Sequence, residues 1–69
     1  MVDKTVFIGS ILRNFPNLRT YFYTFEVNNN LEYGKFERSR NSTLEDYCGG
    51  DEVLIEKLIR ILNYYISRS

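Results

Sequence analysis

The sequence contains no histidine and one cysteine, Cys48. One thiol without an imidazole cannot assemble a structural zinc site, and a single cysteine closes no intramolecular disulfide. Without histidine, Cys48 also lacks the usual base that activates a thiol nucleophile, so a buried or redox-idle thiol is expected. Net charge is missing too. Nine basic and nine acidic side chains cancel over 69 residues, so no whole-protein field steers the chain to DNA or to an anionic membrane. No segment reaches the roughly 18 uninterrupted apolar residues of a membrane span. The Met1 start shows no basic stretch followed by a long apolar run, as a secretory signal would. A cytoplasmic protein is the expectation, and "NST" at 41–43 then reads as a chance match to a glycosylation acceptor.

Catalytic patterns are equally scarce. Asp51 and Glu52 read as a helix start rather than a catalytic dyad. "CGGDE" lacks the Gly-Lys-Ser/Thr of a phosphate loop, and its acidic pair would repel phosphate. No enzyme activity, cofactor or metal is expected.

What the chain does have is apolar bulk: 43 % hydrophobic and 16 % aromatic residues, too much for disorder. Residues 1–69 make one small domain. A chain this short buries roughly 60 % of its unfolded surface, and a core of this size rarely supplies more than about 3–5 kcal/mol. Association with itself, as a dimer, or with a partner is the expected remedy.

The segment "GDEVLIEKLIRILNYYISR" places Leu54, Ile55, Leu58, Ile59, Ile61, Leu62, Tyr65 and Ile66 at helical spacing. Glu52, Glu56, Arg60, Asn63 and Ser67 fall opposite. Asp51 and Glu52 at the start and Arg68 at the end suit the helix dipole. Before it, Ser42 and Glu45 form a capping-box pattern, and Gly49-Gly50 stop what begins there. A short helical turn and then a long helix follow.

The aromatic segment "LRTYFYTFEVNNNLEYGKFERSR" predicts a β-hairpin with a loop at Asn28–Asn30, Asn30 being left-handed. That register pairs Val27 with Leu31, Phe25 with Tyr33, Tyr23 with Lys35 and Phe22 with Phe36. Residues 4–13 alternate between two readings. Phe7, Ile8, Ile11, Leu12 and Phe15 fit a helix face, but β-branched residues and Gly9 favour a strand turning at "NFPN". The preferred architecture is α+β, a three-stranded antiparallel meander of order 1-2-3 covered by the long C-terminal helix. A helix–hairpin–helix arrangement is the alternative.

In the meander, Val6, Ile8, Leu12, Tyr23, Phe25, Val27, Leu31 and Tyr33 form the core. The other face carries Phe7, Ile11, Phe22 and Phe36 with Thr20 and Thr24, flanked by Arg38 and Arg40 at one end and by Glu26 and Glu32 at the other. An exposed aromatic cluster with a polar rim resembles an interface. These residues (Phe7, Ile11, Thr20, Phe22, Thr24, Phe36, Arg38 and Arg40) are the candidate interaction surface, for another protein or a second copy. Tyr64, at the border of the long helix's polar side, is a further contact candidate. The alternative is a nucleic-acid-binding domain that stacks bases on the rings and holds phosphates with Arg13, Arg19, Lys35, Arg38 and Arg40. Glu26, Glu32 and Glu37 on the same hairpin count against it. In composition the chain resembles small tyrosine- and asparagine-rich phage and mobile-element products, many of which bind and block a host protein. A small regulator or inhibitor is therefore the leading expectation.

Overall fold

The computed structural model describes residues 1–68, and it is helical. The order is α1 (Ile8–Asn14), a 3₁₀ turn (Pro16–Leu18), α2 (Arg19–Asn28), a second 3₁₀ turn (Lys35–Arg38), α3 (Leu44–Tyr47) and α4 (Glu52–Ile66). Among the described residues there is no sheet, only an isolated antiparallel bridge between Phe7 and Thr43. The expected α+β meander is thereby overturned, and so is the hairpin of the alternative arrangement.

The aromatic segment folds as a helix because its largest apolar groups recur at the helical period. Leu18, Phe22 and Phe25 lie at i, i+4 and i+7, and all three are buried. In a strand, Phe22 and Phe25 would point to opposite faces. High β-propensity reflects fit to a half-buried pleated surface, and here burial on one helix face overrides it. The expected core divides accordingly. Ile8, Leu12 and Phe25 are buried and Val6, Tyr23 and Leu31 half-buried, whereas Val27 and Tyr33 are 61 % and 66 % exposed.

"NNN" ends α2 instead of turning a hairpin. Asn30 is left-handed, with φ 59°, as the sequence suggests. Its role is to let Leu31 N–H reach back to the Glu26 carbonyl at 3.0 Å, the closing bond of a Schellman motif. Pro16 opens the turn that leads into α2, a position where its missing N–H costs nothing.

The first segment is part extended and part helical. Residues 4–7 pair not with 19–26 but with 43–45: Leu44 N–H donates to the Val6 carbonyl at 3.1 Å and Glu45 N–H to that of Lys4 at 3.0 Å. α1 then begins, and its first amides, from Ile8 and Gly9, donate to the carbonyls of Ser42 (3.0 Å) and Arg40 (2.9 Å). Gly9 is tolerated because of that approach. A Cβ there would sit 2.9 Å from the Arg40 carbonyl oxygen.

The cap of α3 is Thr43, one residue later than the Ser42 box. Its Oγ1 accepts from Asp46 N–H at 3.1 Å, while the Ser42 carbonyl is engaged by α1. Gly49 and Gly50, with φ of 65° and 76°, carry the chain into α4. Asp51 Oδ1 caps α4 by accepting from Val53 N–H at 2.9 Å. Ile55, Leu58 and Leu62 are the buried stripe of α4, and Leu54, Ile59, Ile61, Tyr65 and Ile66 pack beside them. Asn63 leaves the solvent side it was expected to share. Its side-chain amide clamps Val2, accepting from the backbone N–H at 2.8 Å and donating to the carbonyl at 3.1 Å.

Candidate interaction surface

α2 presents two chemically different sides. Inward, Glu26 is fully buried among the aromatics. Its carboxylate accepts from Gly34 N–H (2.6 Å), Phe36 N–H (2.7 Å) and the Tyr47 hydroxyl (2.7 Å). Those bonds pin the second 3₁₀ turn and α3 to α2. The Tyr47 phenol is pushed up from its ordinary value, first by burial and then by its bond to Glu26.

Outward, Thr20, Tyr23, Thr24, Val27 and Asn28 line a groove of about 390 Å³ together with Tyr33. Tyr33 stacks on Tyr23 with ring centres 4.7 Å apart, and Tyr23 meets Phe36 edge-on, also at 4.7 Å. Beside this groove lies a second carboxylate, Glu37. It pairs with Arg19 through both oxygens, accepts from Arg40 Nη2 at 2.8 Å and from the Tyr23 hydroxyl at 3.2 Å. The Arg40 hydrogen bond is the largest of the effects that hold Glu37 below the ordinary carboxylate value, with Tyr23 and the charge of Arg19 adding to it. Burial, then the bond to Glu37, pushes the Tyr23 phenol up.

The residues expected to form one surface are thus dispersed. Ile11, Phe22 and Phe36 are core, at 2 %, 0 % and 0 % exposure. Phe22 does meet Phe36, with centres 5.1 Å apart, but inside the molecule rather than on an open sheet face. Thr20 and Thr24 line the α2 groove. Phe7 and Arg40 line a different groove with Ser10, Leu12, Arg13 and Asn41. Arg38 is exposed and pairs with Glu32 at 2.7 Å, although the two were placed at opposite ends of the patch. Tyr64 is half exposed, with the Arg68 guanidinium 4.7 Å over its ring.

The hairpin register places Tyr23, Val27 and Tyr33 in the core, but they form the apolar part of the α2 groove. The Leu18–Phe22–Phe25 spacing turns Tyr23 and Val27 away from the buried stripe, whereas Tyr33 lies beyond α2 and is placed by its stacking on Tyr23. Nothing in the local sequence marks Glu26 as buried.

Cys48 is buried, and burial pushes its thiol up to about 11. Among the described residues no group of three or more cysteine, aspartate or glutamate side chains could hold a metal ion, and no helix is long and apolar enough to cross a membrane. Comparison with protein-family models, curated proteins and solved structures finds no match to this chain.

Proposed function

We propose that the chain is a small non-enzymatic interaction module, a regulator or inhibitor that occupies a protein partner's surface in the cytoplasm. The carrying observation is the outer side of α2, where Val27 and Tyr33 stand 61 % and 66 % exposed beside Tyr23. Clustered exposed apolar groups rimmed by polar ones mark interaction sites more often than scattered ones do, and tyrosine is enriched among the residues that carry binding energy. Thr20, Thr24 and Asn28 supply the polar rim. The Glu37 cluster, with Arg19 and Arg40, borders it.

The cationic groups favour this reading over nucleic-acid binding. Of the five residues nominated to hold phosphates, Arg19 and Arg40 share the Glu37 carboxylate, Arg38 pairs with Glu32, and Lys35 donates to the Tyr47 carbonyl at 2.8 Å, which leaves Arg13 alone without an ion pair or a side-chain hydrogen bond among the described residues. Self-association keeps its motive in the small size of the core but loses the aromatic patch assigned to it, since Phe22 and Phe36 are buried.

The test is a photo-crosslinking residue in place of Tyr33, activated in the cells that make the protein. One discrete protein adduct, lost when Val27→Asp is added, is the expected result. Nuclease-sensitive adducts, or adducts indifferent to Val27→Asp, would overturn the reading.

A further inference from the structure

The groove between α1 and the segment after the second 3₁₀ turn carries two guanidiniums. It has a volume of about 640 Å³ and is lined by Phe7, Ser10, Leu12, Arg13, Arg40 and Asn41, with no carboxylate among its lining residues. Phe7 is 51 % exposed. Arg13 sits in the last turn of α1 and is exposed, with no ion-pair partner among the described residues. Arg40 gives one nitrogen to Glu37 at 2.8 Å, which leaves other donors of its five-donor fork uncommitted. Glu37 also serves Arg19, so one carboxylate faces two guanidiniums and the balance around Arg40 stays positive. The two walls of the groove are tied together by backbone, through the Gly9 N–H bond to the Arg40 carbonyl at 2.9 Å.

We propose that this groove binds an acidic peptide segment of a partner protein, with carboxylates on Arg13 and Arg40 and an apolar side chain against Phe7. Guanidinium forks match carboxylates in a bidentate geometry. Ser10 and Asn41 offer hydrogen bonds to a peptide backbone, and the volume lies in the range of ligand-binding clefts. Nucleic acid fits less well, because its affinity at physiological salt grows with the number of phosphates neutralised and this groove supplies two guanidiniums. The inference rests on the chain being a protein-binding module but uses a surface separate from the α2 groove.

The experiment pans a random peptide display library against the immobilised full chain, then titrates a synthetic enriched peptide while recording amide shifts. The expected enrichment is for Asp or Glu flanking an apolar residue, with shifts at Gly9, Ser10 and Asn41. Arg13→Gln should weaken binding about tenfold, as loss of a charge-assisted hydrogen bond does, and the fold should survive because that side chain is exposed and unpartnered. Val27→Asp should leave peptide binding unchanged, which separates this site from the α2 groove. The proposal is overturned by no enrichment, by enrichment of neutral or basic peptides, or by binding indifferent to Arg13→Gln. Tighter binding of a mixed-sequence single-stranded oligonucleotide to the same amides overturns it as well.

Discussion

Glu26 and Glu37 are each held by three donor groups, yet they do different work. Glu26 is fully buried and receives two backbone amides and a phenol, all neutral. Glu37 has a side chain 27 % exposed and receives two guanidiniums and a phenol. By charge alone Glu37 holds the stronger partners. Burial reverses the ranking. Water competes for every bond at Glu37, so exposed ion pairs contribute about 0–1 kcal/mol. At Glu26 no water replaces a lost partner, and hydrogen bonds to a charged group contribute about 1.5–3 kcal/mol each. A carboxylate among neutral donors thus becomes a structural hub, while one between two arginines is a surface tether.

The largest expected effect follows from Glu26→Gln. The amide nitrogen would face an N–H or O–H donor, leaving buried groups unpaired at a cost of about 3 kcal/mol or more. That rivals the total of about 3–5 kcal/mol available to a core this small. Circular dichroism and urea titration should find the variant largely unfolded. Glu37→Gln should cost under about 1 kcal/mol. Equal losses at the two sites would break the comparison.

Tyr47→Phe is expected to fall between them, at about 1.5–3 kcal/mol, because it removes one of the three donors from Glu26 and keeps the ring. Its ring remains available to meet Phe22 edge-on, at 5.9 Å between centres in the native chain.

Alkaline pH probes the same buried region. The folded-state values of Tyr47 and Cys48 lie above their ordinary ones. The stability they contribute is therefore complete below those ordinary values. For Cys48 it is lost as pH rises from about 9 through about 11, and for Tyr47 the loss begins above about 10. Urea titrations across this range should show falling stability, with a shallower decline above pH 10 in Tyr47→Phe. Acid pH probes Glu37, whose folded value is depressed. Its contribution is present above the ordinary 4.5 and lost as pH falls through the folded value. The small stability gap between wild type and Glu37→Gln should close below that point, the least of these effects.

The sequence disclosed what local chemistry decides. The apolar stripe of α4, the Asp51 cap, the Gly49-Gly50 stop and the left-handed Asn30 each follow from a few neighbouring residues, and each is found. The aromatic segment reads as a strand because Tyr23, Phe25 and Val27 satisfy a period of two as readily as Leu18, Phe22 and Phe25 satisfy 3.6. What adds to the helical stripe is distant: α2 sets Glu26 against the amides of Gly34 and Phe36 and the phenol of Tyr47, partners that no local pattern announces. Gly9 misled for a similar reason. It looks like a helix breaker until the Arg40 carbonyl, far along the chain, is seen to occupy the place of a side chain. The candidate surface went with the fold, because every face assignment depended on the hairpin register.

Amide hydrogen exchange at Gly34 and Phe36 tests the central claim most directly. These residues sit in a connection that would exchange rapidly were it an ordinary loop. If the buried Glu26 carboxylate holds them, both amides will be protected to the level of Leu58 and Leu62 in α4, exchanging only with global unfolding. Exchange at the rate of exposed loop amides, while α4 stays protected, would contradict the account.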